Sequence, residues 1–229
     1  MAQKALIIGG GRFGVKAARH LGAEHSSLRV MAVVEPSPSA GLLELCRGLG
    51  LEIRCEDGVQ AARAALAGPD PPEWVLPCLP SHLLVEWLAL DLAGLDFGLL
   101  PLAQEALAGL DLAMAVPGPR QAWHLSLTDT ICPPDCPEPG ERCLKTGQPR
   151  GRDLHQRLAG VSLPGLGTAV LRSHQLAPGL GGLRSDEMLA LRDRLAGQGG
   201  SWMVATSCRC HGVIQAVRLA RTAGAGEDS

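Results

Sequence analysis

The stretch K-A-L-I-I-G-G-G-R-F-G-V-K-A-A-R-H-L, Lys4 to Leu21, decides the fold class. Residues 5–8 form a short apolar run that reads as a strand, and residues 12–21 carry a helical pattern. Between them Gly9, Gly11 and Gly14 give G-x-G-x-x-G, so the motif stands directly after a strand and opens a helix, the context in which it has physical meaning. In that setting Gly9 permits a tight turn, Gly11 lets a pyrophosphate approach the backbone, and Gly14 lets the helix pack on the strand. The free N–H groups and the helix dipole favour anionic phosphates. Gly10 adds further room.

Moving outward, residues 28–34 read as a second strand that ends in V-V-E-P-S-P. Glu35 lies 21 residues after Gly14, where an acid would bond the adenosine ribose hydroxyls and repel a 2′-phosphate. This favours NAD over NADP, although Arg12 in the phosphate loop could help to hold either. Two plainer readings stay open: the glycines as a packing device of a sheet that binds nothing, and Glu35 as a solvated acid at a strand end.

Strand and helix patterns continue to alternate: helix 41–49, strand 51–55, helix 59–66, strand 74–78, helix 82–92. Such alternation implies right-handed crossovers and an α/β fold, a Rossmann-like doubly wound parallel sheet. Beyond Gly94 the expected elements are strands at 110–116, 125–131, 167–175 and 203–207, a helix at 185–196 with Ser185 as N-cap, and a last helix at 213–221. The expected organisation is a dinucleotide-binding domain at 1–116, a cysteine-rich α/β extension on the same sheet at 117–221, and a flexible tail at 222–229.

Composition removes several function classes. Aromatic residues make up 3% of the chain and Tyr is absent, which argues against a stacking platform for single-stranded nucleic acid. The formal charge is −2, with no block of like charge, so no nucleic-acid partner is expected. No apolar run reaches the length of a membrane span and residues 1–8 show no signal-peptide pattern, so a cytoplasmic protein is expected. Eight cysteines in that compartment point to metal binding, redox chemistry or burial before structural disulfides.

Cys46, Cys55 and Cys78 fall within or beside apolar elements and read as core residues. The other five are grouped. Cys132, Cys136 and Cys143 form C-x3-C-x6-C in a proline- and glycine-rich loop at 132–153, longer than structureless loops in compact domains usually are. Cys208, Cys210 and His211 form C-x-C-H after the strand at 203–207. Each group follows a strand, so on one parallel sheet both would emerge at its carboxyl edge, beside the glycine turn. Three chemistries suit the set: a tetrahedral zinc site, an iron–sulfur cluster, or thiol redox helped by Arg142 and Arg209. Weaker candidates for acid–base or anion-binding roles are Arg172 and His174 in L-R-S-H-Q and His82 in C-L-P-S-H-L-L.

The opening stretch L-I-I-G-G-G-R-F-G-V-K-A-A-R-H-L resembles the nucleotide-binding domains of potassium-uptake regulators, the TrkA-N, KTN or RCK domains, over about the first 35 residues. The resemblance implies that Gly9, Gly11, Arg12, Phe13, Gly14 and Glu35 line NAD(H) or another adenine nucleotide. Those domains carry a Gly-Asp-x-Thr/Ser segment after the third strand, whereas this chain has R-C-E-D-G-V-Q from Arg54 to Gln60. Two functions are therefore expected: an NAD(H)-binding redox protein, of NAD-dependent oxidoreductase type, with a cysteine-ligated metal or iron–sulfur site near the nucleotide; or, on the resemblance, a nucleotide-sensing subunit of potassium transport without catalysis, working as a homo-oligomer or with a membrane transporter as partner. A structural domain with a zinc-clipped loop is the third alternative.

Overall fold

The structure, a computed structural model, describes residues 2–23, 27–130, 132–137 and 140–221, the side chain of Arg221 excepted. The tail expected to be flexible, 222–229, lies outside these residues. The first part of the chain alternates as expected: β1 (Gln3–Ile8), α1 (Arg12–Leu21), β2 (Leu28–Val34), α2 (Ala40–Gly48), β3 (Ile53–Arg54), α3 (Gly58–Ala67), β4 (Trp74–Pro77) and α4 (Leu83–Asp91). Helix ends follow local chemistry. The Ser39 hydroxyl accepts from the Leu42 N–H, and the Asp57 carboxylate accepts from the N–H groups of Val59 and Gln60, which caps α2 and α3.

The chain then builds β5 (Leu95–Leu100), a 3-10 turn at Gln104–Leu110, β6 (Met114–Pro117), β7 (Trp123–Ser126), α5 (Leu154–Ala159), β8 (Gly167–Arg172), β9 (His174–Ala177), β10 (Leu180–Arg184), α6 (Ser185–Gln198), β11 (Gly200–Ser207) and β12 (His211–Arg221). The result is a mixed α/β architecture with two mixed sheets of six strands. The first has the order β3-β2-β1-β4-β10-β9; the second runs β6-β7-β12-β11-β8, with β5 also on β12. Strands β3, β2, β1 and β4 are parallel, and β10 joins β4 antiparallel.

The C-terminal extension expected on the same sheet therefore mostly forms a sheet of its own, and only the β9–β10 hairpin returns to the first. The helix expected at 213–221 is strand β12, antiparallel to β11 from Gly212 outward, so C-x-C-H opens a hairpin rather than a strand-turn-helix unit. The cause is burial on both faces. Ile214 and Ala216 enter the core beneath α5, while Val217 and Leu219 enter the core shared by the two sheets. In sequence, Gln215, Arg218 and Arg221 recur at every third position between apolar residues, a spacing that reads as the polar stripe of a helix and that periodicity alone does not separate from a strand buried on both faces.

Three apolar layers follow from period-2 alternation. Ala5 and Ile7 of β1 pack with α1 and α2, whereas Leu6 and Ile8 face the core that holds α3, α4 and α6 against both sheets. Cys46 is in the core, but Cys55 is exposed, against expectation, because β3 is a two-residue edge strand. Ser185 is buried in the first turn of α6, and Arg184 takes the N-cap position.

Candidate functional site

The three motif glycines differ in what they permit. Gly9 has φ +105, and a Cβ there would lie 2.6 Å from the Cys78 carbonyl oxygen. At Gly14 a Cβ would lie 1.9 Å from the Gly9 carbonyl oxygen, so strand and helix touch only because the position is glycine. Gly11, the N-cap of α1, has nothing within 4 Å of its Cβ position and an ordinary φ of −69. No packing contact requires glycine there; close approach of an external group would. Helix α1 has neither a side-chain cap nor an acid in its first turn, so its N-terminal charge is left for an anion. Gly10 donates its N–H to Glu35 Oε2 at 2.7 Å, and Ser37 N–H reaches Glu35 Oε1 at 3.2 Å. The acid thus lies against the turn, and Arg12 and Phe13 are exposed beside it.

Although the strands leading to them belong to the second sheet, the two cysteine groups meet. Ser126 at the end of β7 pairs with His211 at the start of β12, so the loop leaving β7 and the turn between β11 and β12 share one end of that sheet. Cys132, Cys136, Cys143, Cys208, Cys210 and His211 all line one cavity of about 280 Å³, and Phe13 of the glycine turn forms part of its wall.

The loop is pinned rather than loose. The Lys16 ammonium, one turn along α1 from Phe13, donates to the Pro134 carbonyl oxygen and, at 2.5 Å, to that of Pro178. The Cys136 carbonyl accepts from Gly179 N–H at 2.9 Å and from Gln175 Nε2 at 2.8 Å. Gly179, at φ +69, lets Pro134 sit directly on the β9–β10 turn, where a Cβ would meet the Pro134 oxygen at 1.9 Å. On the other side, the Asp153 carboxylate accepts from Arg209 Nε at 3.0 Å and from Arg150 Nη2 at 3.2 Å. Arg209 O also accepts from Leu154 N–H at 2.8 Å, joining the start of α5 to the C-x-C-H turn.

Two sulfurs receive backbone hydrogen bonds. The Cys143 thiol is held below its ordinary range first by the Thr146 hydroxyl and amide, then by the Lys145 amide and Arg150. Cys208 Sγ accepts the His211 N–H at 3.3 Å. For Cys143 these donors, two and three residues on, stabilise the thiolate, the form that binds metal. Burial pushes Cys210 up to about 11, with Cys208, Cys132 and Cys143 adding to the rise against Arg150. Cys136 is raised by burial, then by Cys132, Cys143, Asp135 and Cys208. Anions that disfavour one another in a half-closed site are relieved by a bound cation. Cys132 Sγ lies 3.6 Å from His211 Nε2, and burial keeps that imidazole below its usual pKa, in the neutral form a metal requires. Among the described residues no group of three or more His, Cys, Asp or Glu side chains converges on a single coordination point. The donor chemistry fits a metal or cluster; the side chains share a cavity without yet forming one shell.

The weaker candidates separate. His82 is 3% exposed and lines a second cavity, of about 350 Å³, that adjoins the first through Ser173, Cys208 and His211. His174 instead sets its ring edge-on to Trp74, 5.5 Å between centroids, with Glu187 Oε2 at 4.0 Å. Arg172 ends β8, paired with Ser207 of β11. The sequence reading missed Lys16, Gly179 and Thr146, and it placed Gln175 in an anion grip rather than as a donor to the Cys136 carbonyl. For Thr146 a local signal existed: C-L-K-T-G offers amides two and three residues after a cysteine, with Gly147 at φ +68 closing the turn.

Residues 84–220 match a family described as "Uncharacterized protein, C-terminal domain". An "Uncharacterized protein" of Archaeoglobus fulgidus is 30% identical over 228 residues, covering 94% of this chain and 99% of that protein. No solved structure matches.

Proposed function

The chain belongs to the family just described, and for it we propose an NAD(H)-binding redox protein with a zinc ion or iron–sulfur cluster beside the nucleotide. The observation that carries this reading is that five cysteines from two distant stretches line one cavity whose wall includes Phe13 of the glycine turn. We read the parallel strands β3-β2-β1-β4 as the nucleotide half of a Rossmann-like sheet, with the crevice above the carboxyl ends of β1 and β4 as the cofactor site. Gly9, Gly10, Gly11 and Gly14 would take the pyrophosphate, assisted by Arg12. Glu35 would exchange its bond with the Gly10 amide for the adenosine ribose, favouring NAD over NADP. Phe13 would separate nucleotide from metal.

Cys143 and Cys208, with N–H donors already on their sulfurs, would be the fixed ligands, completed from Cys132, Cys136, Cys210 and His211. A cluster there supplies one-electron chemistry when bound, and zinc supplies a fixed charge or a Lewis acid. The chain itself holds the loop in place, through Lys16, Gln175 and Asp153, and excludes water with prolines and buried thiols.

The deciding experiment is anaerobic purification, with zinc, iron and acid-labile sulfide counted per chain and NADH affinity measured calorimetrically. Stoichiometric metal together with NADH binding supports the reading, while no metal or no NADH binding overturns it. The potassium-regulator reading shares the nucleotide turn and predicts tight NADH binding without hydride exchange into any carbonyl substrate.

A further inference from the structure

The shape of the thiol cavity discriminates between a single ion and a cluster. Zinc holds sulfur at about 2.3 Å, so its tetrahedral ligands lie within about 4 Å of one another and leave no void between them. Here the donors surround a space of about 280 Å³, whereas one water needs only about 10–15 Å³. Among the described residues no three His, Cys, Asp or Glu side chains meet at a point that could hold an ion.

Separate anchors keep the thiols apart. Cys143 sits in a small ribbon at 141–150, in which Cys143 N–H donates to Gln148 O at 2.9 Å, Gly147 N–H to Cys143 O at 2.8 Å and Arg150 N–H to Glu141 O at 2.8 Å. Cys136 is tied through its carbonyl to Gly179 and Gln175. Cys208 and Cys210 belong to the turn between β11 and β12, where Cys208 N–H donates to His211 O and Leu127 N–H to Cys210 O, both at 2.9 Å. Drawing these thiolates onto one ion works against the main-chain bonds that hold each segment. An iron–sulfur cluster instead spreads four thiolates over two or four irons, with sulfide filling the space between them.

Five thiols line the cavity, more than the four such a cluster uses, so no imidazole is needed. His211 Nε2 lies 3.6 Å from Cys132 Sγ, a separation that fits one shared ion as well as an N–H···S hydrogen bond. No third donor joins that pair, which favours the hydrogen bond. We infer that the cavity holds an iron–sulfur cluster ligated by cysteines alone, with His211 outside the ligand set as a hydrogen-bond donor to Cys132 Sγ. The inference rests on the reading above for a metal centre and narrows it, setting zinc aside and turning His211 from ligand to tuning group. A donor on ligand sulfur stabilises the more negative, reduced state and so raises the reduction potential.

The test uses the full chain, isolated without oxygen, reconstituted with ferrous iron and sulfide, and freed of unbound ions by gel filtration. Iron and acid-labile sulfide are expected in equal amounts, roughly two or four of each per chain. His211→Ala is expected to keep both while its potential shifts to more negative values, and His211→Gln, which retains an N–H donor, to restore the potential. Iron held without sulfide, or no iron at all, overturns the cluster. Loss of iron and sulfide in both His211 variants makes the imidazole a ligand and overturns the cysteine-only set; an unchanged potential in His211→Ala overturns the donor role. Stoichiometric zinc and NADH binding in the isolated protein, with no sulfide taken up on reconstitution, defeats this inference and leaves the reading above. A full cluster without NADH binding does the reverse.

Discussion

Lys16 donates to the carbonyl oxygen of Pro134, which ties the helix behind the glycine turn to the loop that carries Cys132 and Cys136. Phe13 of the same helix forms part of the cavity wall, so a ligand held at either place sees the other through α1. If both metal and nucleotide bind as proposed, reciprocity requires that they change each other's affinity by the same factor. The expected result is that chelation weakens NADH binding in the native protein. In Lys16→Met the two affinities become independent, at a stability loss of about 1 kcal/mol. Calorimetry of both proteins with and without metal checks this, and equal NADH affinity in all four states would sink it.

Gly14→Ala and Gly11→Ala should fail in opposite ways. A methyl group at Gly14 collides with backbone, so overpacking should cost about 1–3 kcal/mol of stability and lower the melting temperature. A methyl group at Gly11 meets nothing, so stability should stay within about 1 kcal/mol. NADH affinity should nevertheless fall roughly tenfold. Thermal melts paired with NADH titrations separate the two outcomes.

Removing a donor to sulfur tests the loop chemistry without touching a ligand. Thr146→Val deletes the hydroxyl that most strongly favours the Cys143 thiolate, and support of this kind is worth about 10–100-fold in metal affinity. Competition with a chelator should show that loss, complete loss in Cys143→Ser or Cys208→Ser, and none in Cys55→Ser, whose thiol lies exposed away from the cavity.

His82 sets an acid limit on stability. Its pKa falls from 6.5 to about 3 through burial, against a raising bond from Gln215 and a smaller lowering by His124. The unfolded chain therefore binds the extra proton first, so this contribution is intact above about pH 6.5 and is lost as pH falls toward 3. The slope is roughly 1.4 kcal/mol per pH unit. His82→Gln should flatten the midpoint of chemical unfolding over that window; an unchanged slope would contradict the assignment.

The sequence made the first half legible because each element there carries local instructions: Ser39 and Asp57 as caps, glycines at the turn, and alternation that sends Leu6 and Ile7 to opposite faces. It misled at β12, where Gln215 and Arg218 fall three residues apart among apolar residues that enter two different cores, and at β5, where the pairing with β12 is a long-range one. The cysteines were named from composition and spacing, but their meeting was not readable. It depends on the pairing of Ser126 with His211, a long-range register that no local pattern states.

Strand β12 occupies the middle of the second sheet, with β11 on one side and β7 and β5 sharing the other, yet it follows every other described strand in the chain. As synthesis proceeds from the N-terminus, β1 to β4 can assemble on emergence. By contrast β5, the β6–β7 pair and the β8–β11 pair are joined into one sheet only when β12 arrives. Until it arrives, Cys132, Cys136 and Cys143 lack Cys208, Cys210 and His211 opposite them. The thiol cavity is thus among the last features of the molecule to be born, and the order of translation itself delays its closure.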